Sequence, residues 1–168
     1  MGAGKTTVGR ALSARVGWPF EDLDDRIQAR EKRVIAQIFQ ESGEAAFRDA
    51  EHAALSELLA ECSVQPRVVA LGGGAFVDPG IRSCLEEGQI PTVFLDAPVA
   101  ELFRRSEQPE VNRPLRRNPE QFRQLYERRR AEYLKATIRI DTDAKIVGSV
   151  AQEIISELNL VPISGACD

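Results

Sequence analysis

The sequence predicts an α/β protein, a parallel sheet sandwiched by helices and built around a phosphate-binding loop. Three observations lead to this. The motif Gly2-Ala3-Gly4-Lys5-Thr6 opens an amphipathic helix. Short apolar runs then alternate with stretches of helical periodicity, the pattern of strands joined by helical crossovers. Finally, the polar and glycine-rich clusters follow those apolar runs, and the carboxyl ends of strands are where such sheets bind ligands.

Composition sets the bounds. The 168 residues suffice for one domain with a sizeable core, and 43% hydrophobic with 29% charged residues describes a globular chain. A net charge of −4 argues against nucleic acid as the main partner. No run reaches a membrane-spanning length, so no membrane partner is expected. Cys62, Cys84 and Cys167 are odd in number and widely spaced, which fits a reducing cytoplasm better than a disulfide framework. His52 is the only histidine, so a multi-histidine metal site is excluded.

Along the chain, residues 5–16 read as a helix with Val8, Leu12 and Val16 on one side, stopped at Gly17. Residues 20–24 read as a short strand ending in carboxylates, and 25–39 as two short helical pieces. Ser42-Gly43 breaks the pattern before a helix over about 44–61, with Phe47, Ala50, Ala54 and Leu58 facing inward. Residues 68–71 form a continuous apolar strand ending in Gly72-Gly73-Gly74. Asp78-Pro79 starts a helix. Residues 91–96 are a strand, 99–106 a helix, 107–119 an irregular stretch rich in Pro, Asn and Arg, and 120–136 a helix. Residues 138–141 are a strand, 147–158 a closing helix, and 161–168 a loose tail. No linker or repeat interrupts residues 1–160, which are expected to form one domain.

The residues themselves suggest phosphoryl transfer. The glycines of residues 2–7 let backbone N–H groups turn toward phosphate oxygens, Lys5 reaches the outer phosphates, and the Thr6 hydroxyl is placed to hold Mg²⁺. The full motif has another glycine five residues before Gly4, and an apolar strand ahead of that. The sequence is therefore expected to start in mid-motif, with Met1 an internal methionine, and to be poorly active as written. Asp22 and Asp24 alternate at a strand end, so one can support the metal while the other orients a hydroxyl and accepts its proton. Gly72, Gly73 and Gly74 allow a ligand close to the backbone. Arg48, with Glu51 one helical turn on, makes a fixed carboxylate fork. Arg113 in the irregular stretch suits a lid that closes over a nucleotide. Of the run Arg128-Arg129-Arg130, one residue is expected to face the site.

Taken together, these motifs resemble the shikimate kinases over residues 1 to about 158. The resemblance rests on residues 1–10, Asp22-Leu23-Asp24, Gly43-Glu44 leading to Phe47-Arg48 and Glu51, Leu71 to Ala75, Arg113-Pro114-Leu115, Arg129 with Tyr133, and Arg139-Ile140-Asp141-Thr142. It implies transfer of the ATP γ-phosphate to the 3-hydroxyl of shikimate, in chorismate and aromatic amino-acid synthesis. It also implies a sheet ordered 2-3-1-4-5, whose central strand precedes the phosphate loop. By the same resemblance, Gly2, Ala3, Gly4, Lys5, Thr6 and Thr7 bind ATP, helped by Arg105, Arg113 and Lys145. Thr6 and Asp22 serve the metal. Asp24, Phe47, Arg48, Gly72, Gly73, Gly74 and Arg129 form the substrate side, within a binding region of about residues 24–51 and under a lid of about 107–119. Lys5, Asp24 and Arg113 are the catalytic set, and the protein is expected to be a monomer. Two other readings stand beside this one: a gluconate-type kinase of the same fold, and a non-catalytic module derived from it.

Overall fold

The computed structural model describes residues 2–107 and 118–163. Within these, helix α1 (Lys5–Val16) runs from the phosphate loop and is closed by Gly17, whose N–H donates to the Ser13 carbonyl. Strand β1 (Phe20–Asp22) follows. It is shorter than expected, because Asp22 caps the next helix, α2 (Leu23–Glu31): its Oδ1 accepts the Asp24 N–H at 3.1 Å. Leu23 and Ile27 are wholly buried on that helix. Asp24 therefore sits on the first helical turn, not at an alternating strand position, and it is capping chemistry that brings the two carboxylates together.

Helix α3 (Ile35–Cys62) is bent where the sequence breaks, since Gly43 takes φ 82° and interrupts the helical path. Strand β2 (Val68–Ala70) leads to the triple glycine and a short 3-10 turn over Ala75–Val77. Asp78 caps α4 (Pro79–Glu87) by accepting the Ile81 N–H at 3.0 Å, with Pro79 in the first turn. Then come β3 (Val93–Asp96), α5 (Val99–Ser106), α6 (Pro119–Tyr133), β4 (Ile138–Asp141) and α7 (Val147–Glu157). At the end of the described residues the Ile163 N–H donates to the Arg15 carbonyl at 2.9 Å, and residues 164–168 of the expected loose tail lie outside the described residues.

Among the described residues the sheet is in two halves. β1 pairs parallel with β2, Phe20 opposite Val68 and Asp22 opposite Ala70. β3 pairs parallel with β4, Val93 opposite Ile138 and Asp96 opposite Asp141. The α/β class with parallel strands is as expected, but the described residues form two separate two-stranded sheets, β1-β2 and β3-β4, in place of one five-stranded sheet ordered 2-3-1-4-5. An apolar cavity of about 420 Å³ lies between β2 and β3 and is lined by both.

Two helical layers enclose the halves. One core cluster gathers Leu23, Ile27, Ile38, Leu55, Leu58 and Ile81. The other joins Val8, Leu12 and Val16 of α1 to Leu95, Ile140 and Ile154. By area, each such side chain contributes roughly 1.5–3 kcal/mol. The carboxyl ends of both halves are tied together by α6: Tyr133 reaches the Gly73 carbonyl beyond β2, and Arg130 reaches Asp96 at the end of β3. β2 and β3 therefore point the same way, and their ends form one rim. No described helix is long and apolar enough to cross a membrane.

Candidate active site

The rim begins at the phosphate loop. Gly2 and Gly4 have φ of 62° and 79°, left-handed conformations that turn the loop before α1 starts at Lys5. A side chain at Gly2 would meet the Leu102 carbonyl, so the loop lies tightly against α5. The first turn of α1 directs its N–H groups and the positive end of its dipole toward this rim. The Thr6 hydroxyl donates to Asp22 Oδ2 at 3.1 Å. Asp22 thus performs two tasks, capping α2 with one oxygen and meeting Thr6 with the other. The residues expected to serve a metal are brought together.

Asp24 is packed against the triple glycine. A Cβ added at Gly72 would lie 2.6 Å from Asp24 Oδ1, so only glycine leaves the carboxylate its place. At Gly74 an added Cβ would lie 3.1 Å from both terminal nitrogens of Arg48, so the guanidinium also borders this backbone. Gly72→Ala is accordingly expected to lower kcat by about tenfold or more through displacement of Asp24. The KM for ATP should stay near its original value, and steady-state kinetics on the folded variant checks both.

The Arg48 fork is held from behind. Its Nη1 donates to Glu51 at 2.6 Å and its Nη2 to Glu44 at 3.3 Å. Glu51 is only 1% exposed, whereas Glu44 lies at the surface. Burial pushes the Glu51 carboxyl above the ordinary carboxylate value, and Arg48 pulls it back down. Phe47 is largely withdrawn into the core, where it stacks on Phe39 with ring centroids 4.6 Å apart. Its ring also lies beneath the Arg48 guanidinium, 5.3 Å from centroid to Cζ. Phe47 thus supports Arg48 from the core, while Phe39 is the more exposed ring of the pair.

From the opposite side, α6 contributes more than expected. Arg129 donates to the Gly73 carbonyl at 3.0 Å, and the Tyr133 hydroxyl donates to the same oxygen at 2.5 Å. Arg128 lies at the surface, but Arg130 also turns inward, reaching Asp96 Oδ2 at 3.2 Å. Two arginines of the run face the interior, because neighbours on a helix are about 100° apart and both fall within a broad inner face. Asp96 is 4% exposed and is met by Arg130, by Arg139 at 2.9 Å and by the Tyr126 hydroxyl. Burial, reinforced by Asp96, pushes the Tyr126 hydroxyl up to about 12. Sequence reading missed this network and the Tyr133 anchor. The available signal for Asp96 was a carboxylate closing an apolar strand, the same sign that marked Asp22.

Of the residues expected to meet the nucleotide, Arg105 donates from Nη1 to the Thr142 hydroxyl and from Nη2 to its carbonyl, both at 3.1 Å, and pairs with Glu101. Lys145 is paired with Glu153 at 2.6 Å. Arg113 and most of the expected lid lie outside the described residues.

Fold, phosphate loop and rim together define a P-loop kinase of the small-molecule type. A family model described as "Shikimate kinase" matches residues 1–159. A shikimate kinase from Persephonella marina is 33% identical over 159 residues, 94% of either chain. Among solved structures, shikimate kinase from Acinetobacter baumannii in complex with shikimate is 36% identical, with a TM-score of 0.84 over 95% of this chain and 88% of that one. Shikimate kinase from Bacteroides thetaiotaomicron is 30% identical, with a TM-score of 0.85 over 95% and 94%. The chain belongs to the shikimate kinase family. A gluconokinase from Sinorhizobium meliloti, 19% identical with a TM-score of 0.59, over 95% of this chain and 87% of that one, shares the fold alone.

Proposed function

We propose that this kinase transfers the γ-phosphoryl group of ATP to the 3-hydroxyl of shikimate, releasing ADP and shikimate 3-phosphate. The observation that carries this reading is the convergence on one rim of Asp24, the triple glycine and the two arginines, beside the phosphate loop. Shikimate is a small carboxylated polyol. It needs a cationic fork for its carboxylate and an acceptor for a hydroxyl, and this rim holds both.

The roles follow from the chemistry of the side chains. Arg48 and Arg129 hold the substrate carboxylate. Glu51 keeps Arg48 Nη1 fixed while the substrate takes the place of the exposed Glu44 contact on Nη2. Gly73 presents backbone to the substrate, with its carbonyl pinned by Tyr133. Asp24 orients the 3-hydroxyl and takes its proton as the oxygen bonds to the γ-phosphorus. The bond from that phosphorus to the bridging oxygen breaks, and ADP leaves. Residues 2–7 cradle the phosphates, and Lys5, with Arg113 of the lid, offsets charge on the transferring group. Arg105 and Lys145 are assigned to the nucleotide.

Thr6 and Asp22 offer one hydroxyl and one carboxylate, 3.1 Å apart. That donor set fits Mg²⁺, which binds through one or two protein oxygens plus substrate phosphates and water, and needs no cluster of three acidic ligands. Thr6 and Asp22 would hold the ion, which would supply charge neutralisation for the phosphoryl group in transfer. The odd, widely spaced cysteines support a reducing cytoplasm, and the acidic balance supports small molecules over nucleic acid as partners; a monomer is the proposed state.

The expected result of Arg129→Ala is a KM for shikimate raised by about tenfold or more, with a smaller fall in kcat and little change in the KM for ATP. An unchanged KM for shikimate would remove Arg129 from the carboxylate clamp. The test of the function is ADP release with ATP and Mg²⁺, with shikimate and gluconate compared as acceptors. Turnover of gluconate and not shikimate would overturn the proposal.

A further inference from the structure

Two donors meet one acceptor at the triple glycine. The Gly73 carbonyl accepts from Arg129 Nη1 at 3.0 Å and from the Tyr133 hydroxyl at 2.5 Å. A carbonyl oxygen has two lone pairs, so both of its places are filled. The two donors stand one helical turn apart on α6 and share a face of that helix. The Tyr133 ring is fixed in place by Phe94 of β3, with ring centroids 5.3 Å apart. Burial pushes its hydroxyl above the ordinary phenol value, and the Arg129 guanidinium beside it pulls it back only in part. The hydroxyl therefore keeps its proton at neutral pH and acts as a donor.

The two bonds differ in what else is asked of their donors. Arg129 has a second task, the substrate carboxylate, and the inference rests on that reading of it. A guanidinium grips a carboxylate best through two parallel N–H bonds, and Nη1 is committed to Gly73. Were Nη1 to leave with no other donor present, the half-buried carbonyl would be stripped of its partner. The cost of that orphaned oxygen would cancel much of what the carboxylate gains. With Tyr133 in place, the oxygen keeps one bond while the guanidinium turns to the substrate. We propose that Tyr133 is a positioning residue: by holding the Gly73 carbonyl, it releases Arg129 Nη1 for the substrate carboxylate. It acts through Arg129 and needs no contact with the substrate or the transferring phosphate. Affinity for shikimate, and not the rate of the chemical step, is therefore the quantity that Tyr133 sets.

The test is a double-mutant cycle on the full chain: the parent, Tyr133→Phe, Arg129→Ala and the double variant. Tyr133→Phe removes one hydroxyl and keeps the ring against Phe94. Steady-state kinetics gives kcat and KM, and titration with shikimate gives Kd. Tyr133→Phe is expected to raise KM and Kd for shikimate about tenfold, the scale of one orphaned acceptor, with kcat and the KM for ATP changed by no more than about twofold. In the Arg129→Ala background the same substitution should add nothing, because no guanidinium remains to be released. Should the double variant fail to fold, the comparison is made on Tyr133→Phe alone, with shikimate whose carboxylate is reduced to a hydroxymethyl group. The loss of affinity should then vanish. An unchanged KM and Kd in Tyr133→Phe, while Arg129→Ala raises both, overturns the role of Tyr133 and leaves the clamp standing. Unchanged values in Arg129→Ala overturn the clamp and the proposal together. An equal loss in both backgrounds, or with the reduced substrate, makes Tyr133 a support of Gly73 independent of Arg129 and also overturns it.

Discussion

Asp24→Asn is expected to lower kcat by about a hundredfold or more, the scale of a lost general base, while the KM for ATP stays near its original value. The amide keeps the size of the carboxylate and can still lie against Gly72, so packing is preserved. What it loses is the ability to accept the proton of the attacking hydroxyl. Asp24 is not the helix cap, because Asp22 has that task, so the variant's thermal midpoint should match that of the parent. Steady-state kinetics with a melting curve separates the two roles. An unchanged kcat would remove Asp24 from catalysis, and a large fall in the midpoint would make it structural.

Arg48→Ala is expected to damage stability and shikimate binding together. Glu51 is buried and its bond to Arg48 is the short one. Without the guanidinium the buried carboxylate loses its paired charge, at a cost of about 3–5 kcal/mol. The group relieves this by holding a proton, so its folded value, already raised by burial, rises further. A raised value gives stability that is complete below the unfolded carboxylate value and is lost as pH rises through the folded one. The variant's deficit should therefore be small in acid and grow toward neutral pH. Adding Glu51→Gln is expected to restore most of the stability and none of the affinity for shikimate. Thermal melts across pH and a shikimate titration read the two effects separately. Equal deficits at acid and neutral pH would contradict this role for Glu51.

Local chemistry made much of the fold legible. α1 and β4 lie where periodicity and Gly17 put them, and the break at Gly43 is real, because each depends on neighbours in sequence. β1 was read two residues too long: Leu23 and Asp24 look like strand continuation until Asp22 is recognised as a helix cap. On the site, Asp24, Arg48 and Gly72 to Gly74 could be named from the sequence because each is an unusual residue type at a strand or helix end. Their mutual packing could not, since the contact of Asp24 with Gly72 joins elements 48 positions apart. The same holds for Tyr133 and Asp96, whose partners lie 60 and 30 residues away. A tyrosine at helical spacing reads as core until the Gly73 carbonyl is found beside it.

The most direct measurement is ADP release with ATP and Mg²⁺, with shikimate or gluconate as acceptor. It would be run on the chain verified as folded. The expected result is release that depends on shikimate and not on gluconate. No shikimate-dependent release from the folded chain, or a preference for gluconate, would contradict the assignment of the rim to shikimate.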